Sequence, residues 1–150
     1  MNAVDFEAFV ARLADVSAEA TLPFFRSALG AQNKAGAGAF DPVTEADRAA
    51  EVAMRRLIEG QFPAHGIIGE EFGSKAEDAP YVWVLDPIDG TKSFISGLPM
   101  WGTLIGLKHN GQPCYGMMSQ PFTRERFFGD GEAAFWTGPA HRGSGQERRK

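Results

Sequence analysis

The spacing of apolar residues changes at Pro63, and this change restricts the possible folds more than any other feature of the sequence. Before Pro63, two segments place apolar residues at steps of three and four, which is typical of amphipathic helices. The first contains Phe6, Phe9, Val10, Leu13 and Val16, and the second contains Ala49, Val52, Ala53, Leu57 and Ile58. After Pro63, short β-branched and aromatic runs between turn residues predict strands, such as 66–69 and 81–85. This order predicts an α+β fold in which two helices pack on one side of a largely antiparallel sheet.

Two turns in the second part of the chain predict hairpins. Asn110 and Gly111 lie between the apolar runs 104–108 and 115–118, and an Asn-Gly pair in this position is a strong hairpin signal. The segment 129–131, Gly-Asp-Gly, separates two further runs in the same way. Both turns predict that the strands on either side of them pair antiparallel.

The composition is that of an ordinary globular protein, with 150 residues, 43% of them hydrophobic and 23% charged. This length predicts one domain at most. The lone Cys114 excludes a disulfide within the chain, and the first ten residues lack the basic and apolar regions of a signal peptide. No apolar run approaches the ~20 residues that span a bilayer. We therefore expect a cytoplasmic protein with no membrane partner.

Charge is divided unevenly along the chain. Residues 141–150 contain four basic residues and one acidic residue, a net charge of +3, and the whole chain carries −4, so residues 1–140 sum to −7. An acidic body argues against nucleic acid as a partner. We predict that residues 1–140 form the folded domain and that residues 141–150 are a basic disordered tail or a truncation end, with a nucleic-acid-binding arm as the alternative.

The segment that follows the apolar run 81–85 contains the strongest candidates for metal and anion binding. Asp86 and Asp89 are three residues apart on a turn and can converge on one point. Gly90 and Thr91 then offer backbone N–H groups to an anion. Carboxylates beside an anion site require a cation between them, and hard oxygen ligands favour Mg2+ over zinc. The same residues also fit an ordinary β-turn, which remains the alternative when the segment is considered alone.

Other carboxylates in the sequence favour a metal site over an ordinary β-turn. Glu70 and Glu71 end the preceding strand-like run, and a third group lies at the start of the second helix, where Thr44 is the predicted N-cap. This group contains Asp41, Glu45 and Asp47. Taken singly, Asp47 fits a helix cap and Glu71 a solvated acid. If the neighbouring strands end together, Glu70 meets Asp86 and a site for two metals becomes possible.

Three motifs occur in a fixed order: Asp-Pro-Val-Thr-Glu-Ala-Asp at 41–47, Gly-Glu-Glu at 69–71 and Asp-Pro-Ile-Asp-Gly-Thr at 86–91. Together they resemble the inositol monophosphatase superfamily of Mg2+-dependent, lithium-sensitive phosphomonoesterases. The continuation at 92–105 resembles the histidinol-phosphate phosphatase branch of that superfamily. The resemblance implies a layered αβαβα sandwich, of which this chain corresponds to the N-terminal part, through about Trp136.

The resemblance also implies the metal ligands. Glu70, Asp86 and the Ile88 carbonyl would hold a first Mg2+, and Asp86 and Asp89 would contribute to a second. Glu70 would also help to hold a third, weaker ion. Mn2+ is the expected substitute for Mg2+.

Catalytic and substrate-binding roles follow from the same resemblance. The Thr91 hydroxyl, hydrogen-bonded to Asp47, would act with Glu70 to orient and deprotonate a water molecule. The substrate phosphate would be held by the N–H groups of Gly90 and Thr91. The full set of substrate contacts implied is Glu70, Ile88, Asp89, Gly90 and Thr91. Lys34 corresponds either to a basic residue near the family's site or to an ordinary surface lysine.

The implied function is a phosphomonoesterase that acts on histidinol phosphate in histidine biosynthesis. The alternatives are a phosphatase for inositol-1-phosphate or another small phosphomonoester, and a non-catalytic metal-binding fragment. In the family, a C-terminal Trp-Asp or Tyr-Asp motif completes the second metal site, and the full-length protein is expected to be a homodimer. Residues 141–150 contain no Asp. We therefore expect a truncated form with a weak second metal site, doubtful activity and an uncovered sheet face.

Overall fold

A single sheet carries two long helices on one of its faces. The computed structural model describes residues 3–27, 42–140 and 145–150. The helices are α1 (Ala3–Thr21), a short 3-10 helix (Leu22–Phe24), α2 (Pro42–Gln61) and α3 (Thr91–Ile95). The strands are β1 (Gly66–Gly69), β2 (Gly73–Lys75), β3 (Tyr81–Asp89), β4 (Gly102–His109), β5 (Gln112–Gln120), β6 (Glu125–Gly129), β7 (Ala134–Pro139) and β8 (Gln146–Arg149). Because α2 already begins at Pro42, Thr44 lies inside its first turn, and the prediction that Thr44 is the N-cap is wrong.

Strand order within the sheet is β2-β1-β3-β4-β5-β6-β7-β8. Each of these neighbours pairs antiparallel except β1 and β3, which are parallel. The predicted α+β fold with a largely antiparallel sheet is confirmed. The hairpin between β4 and β5 is also confirmed, since Asn110 and Gly111 both have positive φ angles (49° and 79°), which a tight two-residue turn requires.

The core lies between the helices and one face of the sheet. Side chains alternate along β3, so Trp83 and Leu85 point toward the helices and are almost fully buried. The Trp83 ring packs against Phe9 of α1, with the ring centroids 5.5 Å apart. Its indole N–H donates to Nδ1 of His65 at 3.1 Å, so the buried polar group has a partner. Burial of each large side chain contributes about 1.5–3 kcal/mol, which fixes the helices on this face.

Apolar side chains on the opposite face remain exposed. Leu104, Met118, Phe127 and Trp136 are cross-strand neighbours and form one continuous row across β4 to β7. Met118 is 38% exposed and Phe127 is 44% exposed. Among the described residues, no helix covers this row, whereas α1 and α2 cover the other face.

A β-bulge interrupts the pairing of β3 with β4. Asp86 pairs with Leu104 and Asp89 with Gly102, so Pro87 and Ile88 lie opposite the single residue Thr103. Proline fits a bulge because it has no N–H to donate to the ladder. The Pro87 carbonyl accepts a hydrogen bond from the Thr103 hydroxyl at 2.8 Å. That hydroxyl lies 2.9 Å from the Ser17 hydroxyl of α1, and both side chains are buried.

The final described residues differ from the expectation of a disordered tail. Gln146–Arg149 forms an edge strand that pairs antiparallel with β7. The Arg148 guanidinium donates to Glu7 at 2.7 Å and lies over the Phe135 ring, 4.3 Å from its centroid. The segment has no apolar residue that would predict a strand. Backbone pairing with β7 and the packing of Arg148 on an aromatic ring stabilise it instead. Residues 141–144 lie outside the described part of the chain.

Within the described ranges, no helix is both long enough and apolar enough to cross a membrane.

Replacing Thr103 with valine tests the buried hydroxyl contacts. The substitution keeps the shape but removes the donor, which leaves the buried Pro87 carbonyl unsatisfied, so we expect the free energy of unfolding to fall by about 1–3 kcal/mol. Urea denaturation measures this change. Thr123→Val is the matched control, because the Thr123 hydroxyl makes only a 3.4 Å contact with the Gln120 carbonyl. An equal, small effect of the two substitutions would show that the Thr103 hydroxyl does not stabilise the bulge.

Candidate functional site

Carboxylates collect where the parallel pairing of β1 with β3 ends, and we call the group Asp47, Glu70, Asp86 and Asp89 the acidic edge. Gly69 pairs with Leu85 in this ladder, and the Glu70 N–H donates to the Leu85 carbonyl at 3.3 Å. Glu70 follows the last paired residue of β1, and Asp86 follows the last residue of β3 that pairs with β1. Because the two strands run in the same direction, Glu70 and Asp86 lie side by side. They are close enough for the Glu70 and Asp86 carboxyl groups to share a hydrogen bond.

Asp86 is one of two carboxyl groups here whose pKa is strongly raised. Its pKa rises from 3.8 to about 7, chiefly because of burial and also because of the hydrogen bond and negative charge of Glu70 and the charges of Asp89 and Glu71. Its Oδ1 atom is buried and has no hydrogen-bond partner among the described residues. A buried acceptor without a donor is costly, and a cation at this point would satisfy it.

Asp47 approaches the same site from the second turn of α2. Its pKa is raised from 3.8 to about 7, chiefly by burial and also by the charges of Glu71, Asp86 and Glu70. A hydrogen bond with the Ile88 backbone acts in the opposite direction and lowers this pKa. Asp47 thus connects α2 to the bulge in β3.

The turn after β3 depends on a glycine. Gly90 has a φ angle of +87°, and a Cβ atom there would lie 2.6 Å from the Met100 carbonyl oxygen. Thr91 then begins α3, with its hydroxyl donating to the Ile88 carbonyl at 3.4 Å. The hydrogen bond between Thr91 and Asp47 that the family resemblance implies is not present among the described contacts. The Thr91 hydroxyl reaches back to the bulge instead.

Glu51 is a residue that sequence reasoning missed. It is fully buried on α2, where its carboxylate accepts hydrogen bonds from the N–H groups of Glu71 (2.7 Å) and Phe72 (3.1 Å) and from Arg55 (2.9 Å). One signal could have found it. Glu51 follows Asp47 by one turn and shares the apolar helix face that continues with Met54, a position where a charge needs a partner.

Four of the predicted site residues lie close together in the structure: Asp47, Glu70, Asp86 and Asp89 are coupled by the charges that raise the pKa values of Asp47 and Asp86. Ile88, Gly90 and Thr91 follow directly in the bulge and the turn. Glu45 is exposed on the first turn of α2, and no contact connects it to this group. Asp41 and Lys34 lie outside the described residues.

The residue types of the site fit a hard divalent cation. All of the side-chain donors are carboxylate oxygens, with the Ile88 carbonyl beside them, and this set suits Mg2+. The carboxylates repel one another, as the raised pKa of Asp86 shows, and a dication would remove that repulsion. Across the described residues, no three His, Cys, Asp or Glu side chains are already arranged around one metal position. The donor chemistry is therefore present without a preformed coordination shell.

Comparison with known proteins agrees with the motifs. A bifunctional phosphatase of Arabidopsis thaliana, named IMPL2, chloroplastic, is 49% identical over 119 residues, which cover 78% of this chain and 34% of that protein. A histidinol-phosphatase of Streptomyces coelicolor is 39% identical over 131 residues, covering 84% of this chain and 48% of that protein. The structure of an inositol monophosphatase from Zymomonas mobilis matches with a TM-score of 0.78 at 41% identity, covering 91% of this chain and 52% of that chain.

The chain spans between about a third and about half of the length of these relatives. A sequence model of the inositol monophosphatase family matches residues 4–149, which include both helices, the bulge and the acidic edge of the sheet. The chain therefore belongs to the inositol monophosphatase family.

Proposed function

We propose that this chain carries the metal- and phosphate-binding part of a Mg2+-dependent phosphomonoesterase that acts on histidinol phosphate in cytoplasmic histidine biosynthesis. The observation that carries the proposal is the pair of carboxyl groups, Glu70 and Asp86, where the parallel pairing of β1 with β3 ends. The two groups are close enough to share a hydrogen bond, and the buried Oδ1 atom of Asp86 has no partner among the described residues. The similarity to a protein named histidinol-phosphatase supports the choice of substrate.

In this proposal the acidic edge holds the metal ions. Glu70, Asp86 and the Ile88 carbonyl are assigned to the first Mg2+, Asp86 and Asp89 to the second, and Glu70 to a third, weaker ion. Mn2+ is the expected substitute. When bound, these cations would neutralise phosphoryl oxygens and lower the pKa of a bound water molecule. The second site has two carboxylates and no carbonyl ligand from this chain, so it would bind Mg2+ more weakly than the first.

The side chains and amides supply the remaining chemistry. The N–H groups of Gly90 and Thr91 donate to phosphate oxygens at the start of α3. Glu70 accepts a proton from the attacking water, and the Thr91 hydroxyl orients that water. Asp47 is suited to hold or release a proton near neutral pH, because its pKa is raised to about 7. Asp89 is also assigned to the substrate contacts.

We assign these roles to residues 1–140 as one domain and expect the full-length protein to be a homodimer, without nucleic acid or membrane partners. A second candidate substrate is inositol-1-phosphate, which the similarity to the Zymomonas mobilis inositol monophosphatase favours. A non-catalytic metal-binding role is the third candidate.

Phosphate release separates these candidates. With purified chain and Mg2+, we expect faster release from histidinol phosphate than from inositol-1-phosphate, and no release without a divalent cation. A preference for inositol-1-phosphate would favour the second candidate. Binding of Mg2+ without any hydrolysis would favour the third.

Asp86→Asn tests the metal assignment directly. Asp86 is assigned to both ions, so the substitution should abolish Mg2+ binding measured by calorimetry and any phosphate release. Asp78→Asn, which changes an exposed carboxylate away from the acidic edge, is the control and should leave both unchanged. Full Mg2+ affinity in the Asp86→Asn chain would remove the basis of the site.

The raised pKa values also predict how stability depends on pH. The folded-state pKa values of Asp47 and Asp86 are about 7, above the ordinary value of 3.8. Between these values the folded chain binds more protons than the unfolded chain, so stability contributed by these groups is present at low pH and is lost as pH rises toward 7. We expect the metal-free chain to unfold at lower urea concentration at pH 8 than at pH 5. Mg2+ should reverse this loss at pH 8.

The same measurement on Asp86→Asn provides the comparison. Removing one of the two groups should reduce the difference in urea midpoint between pH 5 and pH 8, and Mg2+ should no longer raise the midpoint. An unchanged pH difference in this variant would show that Asp86 does not cause it.

A further inference from the structure

We propose that Glu51 is a positioning residue that fixes the turn at 70–72 and thereby orients Glu70 toward Asp86. This inference rests on the proposed function, because the orientation of Glu70 matters only if Glu70 binds the metal. The contacts that support it are independent of that function. They concern a buried carboxylate, the backbone amides that it binds and a glycine that makes room for it.

The first observation is the burial of a charged group that does not belong to the proposed metal site. The Glu51 side chain is completely buried, and burying a carboxylate is costly unless it is paired and hydrogen-bonded. Arg55, one turn further along α2, supplies the opposite charge through its Nε atom at 2.9 Å. The Arg55 guanidinium also donates to the Gly73 carbonyl, so the ion pair is tied to the segment that follows the turn.

The second observation is that both Glu51 oxygens bind the turn. Oε2 accepts the N–H of Glu71, and Oε1 accepts the N–H of Phe72. These two amides directly follow Glu70. Only a carboxylate offers acceptors at both positions, since the amide of a glutamine would place a donor against one of the N–H groups. Glu51 therefore holds the backbone on the C-terminal side of Glu70.

The third observation is the space that Gly69 leaves. A Cβ atom at Gly69 would overlap with Oε1 of Glu51 and approach the Arg55 guanidinium. Gly69 is also the last residue of β1 and pairs with Leu85, which precedes Asp86. The backbone of Glu70 is thus held on one side by the sheet and on the other by Glu51. Because the backbone is fixed on both sides of Glu70, its side chain stays directed toward Asp86, with which it shares a hydrogen bond.

The wild-type chain provides the first test, through amide hydrogen exchange measured by NMR. The N–H groups of Glu71 and Phe72 lie in a turn, yet they should exchange about 10- to 100-fold more slowly than the exposed amides of Glu77 and Asp78, because they bind a charged acceptor. If the amides of Glu71 and Phe72 exchange as fast as those of Glu77 and Asp78, the proposal is wrong. This test requires no metal and no substitution.

Glu51→Gln provides the second test, with two readouts. Exchange at Glu71 and Phe72 should accelerate about 10- to 100-fold. The affinity for Mn2+, used as a spectroscopic probe in place of Mg2+, should fall about 10- to 100-fold, as is common when a residue that orients a ligand is lost. Gly69→Ala should give the same pattern, because it displaces the same carboxylate without changing any charge.

Two controls on α2 separate positioning from general stability. Glu59→Gln removes a carboxylate that forms an exposed ion pair with Lys75 at 3.0 Å, and it should change neither readout. Met54→Ala creates a cavity in the core and should lower the urea midpoint while leaving turn exchange and Mn2+ affinity unchanged. If Glu51→Gln behaves like Met54→Ala, Glu51 has only a structural role and the proposal is wrong.

The two readouts also distinguish this proposal from the proposed function. If the wild-type chain does not bind Mn2+, the proposed metal site is wrong, independently of the role of Glu51. If the wild-type chain binds Mn2+ and Glu51→Gln accelerates exchange without weakening binding, the metal site stands and the orienting role of Glu51 fails.

Discussion

The site depends on the parallel pairing of β1 with β3 in a sheet whose other described neighbours pair antiparallel. Antiparallel neighbours would end at opposite edges and separate their terminal side chains. In this parallel pair the ladder ends at Gly69 and Leu85, so the residues that follow them, Glu70 and Asp86, lie side by side. The residues between these strands make this pairing possible, because β2 turns back along the outer edge of β1 and returns the chain to the start of β3. The proximity of Glu70 and Asp86 is thus a property of the sheet topology.

Packing of the hydrophobic core offsets the unfavourable free energy of placing several carboxylates close together. Burial and mutual repulsion raise the pKa values of Asp47 and Asp86. In a flexible chain these carboxylates would move apart. Here α2 is anchored to the sheet by buried residues such as Met54 and Ile58, and β3 is anchored to the helices by Trp83. The rigid packing of these apolar side chains maintains an electrostatically unfavourable arrangement, which is typical of binding sites.

The parts that could be predicted from the sequence are those with a local signal. Apolar spacing gave the two helices and the strands, and Asn110 with Gly111 gave a hairpin, because these features depend on neighbouring residues. The strand at 146–149 was missed because it depends on pairing with β7 and on contacts of Arg148, which are not local. Glu51 was missed for the same reason, since its partners lie 20 and 21 residues further along the chain. The motifs located the acidic residues, but only the structure gave their contacts, including the Thr91 hydroxyl directed to Ile88.

The bulge at Pro87 and Ile88 makes the backbone geometry of this segment as important as its composition. Side chains alternate along a strand, so residues three apart normally point to opposite faces, and the extra residue reverses that relation for Asp86 and Asp89. A regular strand through the same four residues would make the two carboxylates diverge even though both were retained. The local backbone geometry of this segment is therefore as strict a requirement for the site as the two aspartates themselves.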